Sequence, residues 1–110
     1  MSKSLILLLL VLAALLEAAG DAFVRLGLRA PAMAPRILLF VVGTAFLFLY
    51  GWTVNTPPWD FGRLLGLYVV FFFLFAQTIS WLVFHHRPSA AVLIGGSFIA
   101  LGGLIISLAS

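Results

Sequence analysis

Apolar residues dominate four long stretches of the chain, at 4–28, 36–54, 61–84 and 90–108, separated by short polar breaks, and only a few polar residues such as Glu17 and Asp21 fall inside them. Each stretch is apolar around its whole circumference rather than along one stripe, which suits a helix that meets lipid on all sides. Each also has roughly the ~20 residues that a helix needs to cross the hydrocarbon of a bilayer. The breaks carry strong helix punctuation: Pro31 and Pro35 in the first, Asn55, Pro57 and Pro58 in the second, Pro88 in the third. Proline removes a ladder donor and clashes with the preceding turn, so a helix does not run through such segments. A transmembrane barrel would need segments of about ten residues alternating apolar and polar, and none is present. The pattern predicts an all-α integral membrane protein: one domain, residues 1–110, a four-transmembrane-helix bundle, dimeric.

Composition sharpens this reading. Of the 110 residues, 65% are hydrophobic and 8% are charged, and the mean hydropathy is +1.28. Soluble domains carry about 25% charged residues, so this chain could not cover a water-facing surface. Residues 1–16, with Lys3 ahead of an apolar run, share the outline of a secretory signal peptide. Glu17 interrupts that run, and the segment reads better as the first helix.

The formal net charge of +3 comes from Lys and Arg near helix ends, which fits lipid headgroups and topology rather than nucleic acid. Arg25, Arg29, Arg36 and Arg87 gather on the side of the first and third connections, against Lys3 and Arg63 on the other, a bias of four to two. The positive-inside rule then puts both termini outside the cytoplasm, in a multi-pass protein of the cell's inner (plasma) membrane. There is no cysteine, and no residue pattern calls for a cofactor or a metal. His85 and His86 are adjacent, which is poor geometry for two ligands on one helix face, and they read as interface anchors. Trp52, Trp59 and Trp81 read as interfacial belts.

Glu17 is the sharpest chemical feature. At ~1.5 Å per residue it lies about 18 Å along the first helix from Leu5, near the middle of a bilayer. An ionisable group there is costly and usually faces a bundle interior or an aqueous cavity. A carboxyl at that depth can hold a proton or neutralise a cation, but hardly both, and such competition is the minimum machinery of proton-coupled cation exchange. The plainer alternative is a protonated Glu17 that bonds a neighbouring helix. Ala13, Ala14, Gly20 and Asp21 lie three or four residues away on the same face, small enough for a helix or a ligand to approach. Asp21 is either a partner of Arg25 at the interface or a second acidic step toward Glu17; the i,i+4 spacing fits both. Tyr68 has a hydroxyl that needs a partner when buried, and it could reach Glu17 or offer a ring face to a cation.

Helix 4 carries small residues at Gly96, Ala100, Gly103 and Ser107, with Gly95 and Gly102 beside them. Such a stripe supports close helix contact, within one chain or, as favoured here, between subunits. The rings of Phe71, Phe72, Phe73 and Phe75 read as packing or lipid-facing surface.

These features resemble the small multidrug resistance proteins of the drug/metabolite transporter superfamily. The resemblance rests on Leu15-Leu16-Glu17-Ala18-Ala19-Gly20 in helix 1, on Ser80-Trp81 through Phe84 and Arg87, and on Gly95 and Gly102 with Leu104-Ile105-Ile106. Phe61-Gly62-Arg63 and Tyr68 resemble the YnfA-type branch. The resemblance implies a homodimer, often antiparallel, whose two Glu17 carboxyls line a shared chamber, with Tyr68 next to the substrate. It also implies proton-coupled export of organic cations or guanidinium-type compounds. One departure is that Val69, Val70 and Phe71 stand where that family has helix-kinking glycines.

The expectation is therefore a transporter, not an enzyme, with lipids, protons and an organic cation as partners. A site is expected at Glu17, Tyr68, Asp21, Ala13 and Gly20, and a dimer interface at Gly95, Gly96, Ala100, Gly102 and Gly103. The alternatives are a subunit that translocates a lipid or lipid-linked sugar, with a paralogue as heterodimer partner, and a non-transporting membrane assembly protein.

Overall fold

A computed structural model describes residues 1–110 and contains four helices and no strand. They are α1 (Lys3–Arg29), α2 (Met33–Val54), α3 (Phe61–Leu82) and α4 (Ala90–Leu108). All four are long and apolar enough to cross a membrane.

Local chemistry sets the boundaries. The Ser2 hydroxyl accepts from the Leu5 amide at 3.2 Å to open α1, and Ser89 does the same for the Val92 amide at 3.2 Å to open α4. Pro31 forces Ala30 into extended backbone, φ −69° and ψ 132°, and α1 stops there. α2 begins at Met33 and takes in Pro35, three residues ahead of the expected start. Pro35 falls in the first helical turn, where amides have no intrahelical acceptor, so its missing N–H costs nothing. α3 ends at Leu82, two residues short of the expected 84. His85 adopts φ 60°, and the His86 amide donates to the Ser80 carbonyl at 3.0 Å, closing the end with a residue in the left-handed region, a place usually taken by glycine.

The four helices form a flat bundle, in which Tyr50 and Val54 of α2 also reach α3. α1 packs against both α2 and α3, and α4 leans on α3. The molecule measures 49 × 34 × 18 Å. α1 and α2 approach closely where Gly20 meets Gly43: a Cβ on Gly20 would lie 3.2 Å from the Gly43 carbonyl oxygen and 2.9 Å from Leu47. Arg36 fastens the same hairpin, donating to the carbonyls of Gly27 (3.2 Å), Leu28 (3.3 Å) and Ala30 (3.2 Å) at the exposed end of α1. α3 meets α4 through Phe73 seated on Gly96 and Val70 on Gly103. Lys3 Nζ donates to the Ser107 carbonyl at 2.6 Å, tying the start of α1 to the end of α4.

The core is small. Ile6, Leu10, Ala13 and Ala14 of α1 pack with Val54 of α2 and with Leu64, Leu67 and Tyr68 of α3. Only 15 of 110 residues are buried, while Phe48, Trp52, Phe98 and Leu108 are each more than 65% exposed. A surface this apolar is stable only against hydrocarbon, so lipid completes the solvation that the protein leaves open.

Candidate functional site

Glu17 sits half-buried on α1, at the end of the packed core. Tyr68 of α3, buried to 3% exposure, donates its hydroxyl to Glu17 Oε1 at 2.8 Å. Tyr50 of α2 faces the same carboxyl and packs on the Tyr68 ring, with centroids 5.5 Å apart and planes at 33°. The far face of Tyr68 stacks on Phe72 at 6.3 Å and 24°. The acid therefore has two phenols and no basic side chain beside it. Phenols orient a carboxylate and shield it from lipid without neutralising its charge. The aromatic column alongside offers ring faces to a cation.

A cleft of about 310 Å³ opens between α1 and α3, one helical turn beyond Glu17. Asp21 and Arg25 of α1, with Ser80 and His86 from α3 and its following loop, line it together with Phe72, Ala76 and Ile79. The direct Asp21–Arg25 pair, one of the two readings of that spacing, does not form. The Arg25 guanidinium instead lies 5.4 Å from the centre of the Phe84 ring, and Arg29 lies 6.0 Å from the same ring.

A family model described as "Uncharacterised BCR, YnfA/UPF0060 family" matches residues 2–110. The chain belongs to the YnfA/UPF0060 family. A "UPF0060 membrane protein" of Herpetosiphon aurantiacus is 34% identical over 101 residues, which cover 89% of this chain and 88% of that relative. No solved structure matches the chain. Four membrane-length helices and a membrane-protein relative make this member of the YnfA/UPF0060 family a multi-pass membrane protein. The branch is the one that Phe61-Gly62-Arg63 and Tyr68 suggested.

The structure of this YnfA/UPF0060 chain sorts the residues singled out in the sequence. Glu17 and Tyr68 come together, and Asp21 lies in the adjoining cleft. Ala13 and Gly20 do not join them: Ala13 is fully buried in the core, and Gly20 packs on α2 against Leu47. Three positions along a helix is a rotation of about 60° away from Glu17, enough to turn Gly20 to the neighbouring helix. On α4 the small residues split. Gly96 and Gly103 are filled from within the chain by Phe73 and Val70, and so are taken from the expected subunit interface. Gly95 and Gly102 meet nothing, and Ala100 is exposed.

Tyr50 is the residue that sequence reading passed over. The chain has two tyrosines, both inside helices, and a buried phenol seeks a polar partner. Tyr68 bonds Glu17, and Tyr50 packs on the Tyr68 ring beside it. His86, read as an interface anchor, lines the cleft.

Proposed function

We propose that this protein is a small proton-coupled transporter of the plasma membrane that exports organic cations or guanidinium-type compounds. Its Glu17 carboxyl is occupied in turn by a proton and by the cationic guest. The observation that carries the reading is the 2.8 Å Tyr68–Glu17 hydrogen bond in a half-buried setting without a basic partner. A carboxyl fully paired with arginine would have no charge left to offer. Here the Tyr68 phenol fixes its position, and the rings of Tyr50, Tyr68 and Phe72 supply the adjoining wall.

In this reading two copies assemble, since the flat bundle leaves much of the apolar surface of each chain uncovered, and the termini lie on the non-cytoplasmic side. The test is a proton-release titration on purified protein with candidate cations such as guanidinium and tetraphenylphosphonium, followed by proton-driven uptake into vesicles. Cation addition should release protons from the native protein and none from Glu17→Gln, which should still insert and assemble. Undiminished uptake by Glu17→Gln would sink the reading.

A further inference from the structure

The cleft between α1 and α3 has a chemistry of its own. Asp21 and Arg25 are four residues apart on α1, about 6 Å along the helix axis, and both line the same void of about 310 Å³. Opposite charges at this spacing ordinarily pair. These do not: no ion pair joins the Asp21 carboxyl to Arg25, whose guanidinium lies instead 5.4 Å from the centre of the Phe84 ring. The cavity thus holds an acid and a base that do not pair with each other. A simple cation would be attracted by the first and repelled by the second, and a simple anion the reverse. A molecule with an ammonium and an anionic group separated by about one helical turn satisfies both.

We infer that this cleft is a binding site for a small zwitterion, separate from the Glu17 carboxyl. The ammonium lies toward Asp21 and the face of Phe72, where the ring adds cation–π attraction. The anionic group lies toward Arg25, with Ser80 and His86 as further hydrogen-bonding partners at that end. The volume is at the low end for ligand pockets, which run from about 300 Å³ upward, so the guest is small. Its source is either a free ω-amino acid or the phosphoethanolamine headgroup of a lipid entering from the side, since both carry these two charges.

The experiment is calorimetric titration of the purified full-length protein with three molecules of similar length: 4-aminobutyrate, butylamine and butyrate. 4-Aminobutyrate should bind at least about ten-fold more tightly than either of the others. Arg25→Gln should lower its affinity to that of butylamine and Asp21→Asn to that of butyrate, while Arg25→Lys restores most of the preference and guards against loss of folding. Glu17→Gln should retain the preference for 4-aminobutyrate over butylamine and butyrate while losing cation-driven proton release, so this site and the transport reading stand or fall separately. Competition by nanodiscs of phosphatidylethanolamine but not of phosphatidylglycerol assigns the headgroup as the guest, and its absence assigns the free amino acid. Equal affinity for butylamine and 4-aminobutyrate, an unaltered titration in Arg25→Gln, or loss of binding in Glu17→Gln would each overturn the inference.

Discussion

The hydroxyl of Tyr68 donates to Oε1 of Glu17 at 2.8 Å, joining residues 51 positions apart in the chain and crossing from α3 to α1. Tyr68 is buried while Glu17 is half-buried, so the bond holds the carboxyl at the edge of the packed region rather than inside it. The bond is also part of the seam between the two helices. It lies at the end of the core stripe formed by Ile6, Leu10, Ala13 and Ala14 against Leu64 and Leu67.

A double-mutant cycle measures that bond. Tyr68→Phe keeps the ring and its stacking on Tyr50 and Phe72 and removes only the donor. Glu17→Ala removes the acceptor, which a glutamine there would keep. Hydrogen bonds between membrane helices contribute about 0.6 kcal/mol on average and up to ~1.7 kcal/mol, and a charged acceptor belongs at the upper end. The coupling between the two variants in reversible detergent unfolding should therefore be about 1–2 kcal/mol. Strictly additive losses would mean that the two groups do not interact in the membrane.

The glycines of α4 give a sharper contrast, because neighbours in sequence face different surroundings. A Cβ at Gly96 or Gly103 would collide with Phe73 or Val70 of α3, whereas one at Gly95 or Gly102 meets nothing. Gly96→Ala and Gly103→Ala should each destabilise the fold by about 1–3 kcal/mol through overpacking. Gly95→Ala and Gly102→Ala should fall within about 0.5 kcal/mol of the native chain. If the uncovered face seats a second copy, Gly95→Leu and Gly102→Leu should reduce dimer in detergent sedimentation while leaving monomer unfolding unchanged.

That contrast shows what the sequence could and could not disclose. The number of spans and their breaks were legible because proline and unbroken apolar runs act locally. Glu17 was legible because a carboxyl amid hydrocarbon is costly wherever it points. Which face of each helix meets another was not legible, since lipid accepts apolar side chains as readily as protein does. Gly95 and Gly96 look alike in the sequence, and only the position of Phe73 separates them. Val69, Val70 and Phe71 read as missing kink glycines, yet Val70 is the knob that fills the space over Gly103. The early end of α3 rests on His85 entering the left-handed region, a role for which glycine would have been the recognisable mark.

Arg36 should prove structural rather than functional. Its guanidinium spans the carbonyls of Gly27, Leu28 and Ala30 at the end of α1, where carbonyls lack the amides of a following turn; the Gly27 carbonyl also accepts from the Ala30 amide at 3.2 Å. A lysine carries its donors on a single nitrogen and lacks the planar fork, so it spans these separated carbonyls less well. Arg36→Lys should therefore cost about 1–2 kcal/mol and speed hydrogen exchange at the end of α1 and the start of α2, with cation-driven proton release unchanged. Unaltered exchange there would mean that the hairpin closes without this clasp.

The orientation of the chain rests on a narrow margin. Arg25, Arg29, Arg36 and Arg87 on one side oppose Lys3 and Arg63 on the other, four charges to two. Loop Lys and Arg near helix ends set orientation, and the balance can be tipped by small changes. The chain has no cysteine, so a single cysteine at Ser89 or at Ser110 is a clean probe for a membrane-impermeant thiol reagent. With the native charges, Ser110→Cys should be labelled from outside the cell and Ser89→Cys protected. Arg29→Ser together with Arg87→Ser equalises the two sides at two each, and should yield a mixed population with both positions partly labelled. Ser89→Cys labelled from outside in the native charge background would reverse the assignment and place both termini in the cytoplasm.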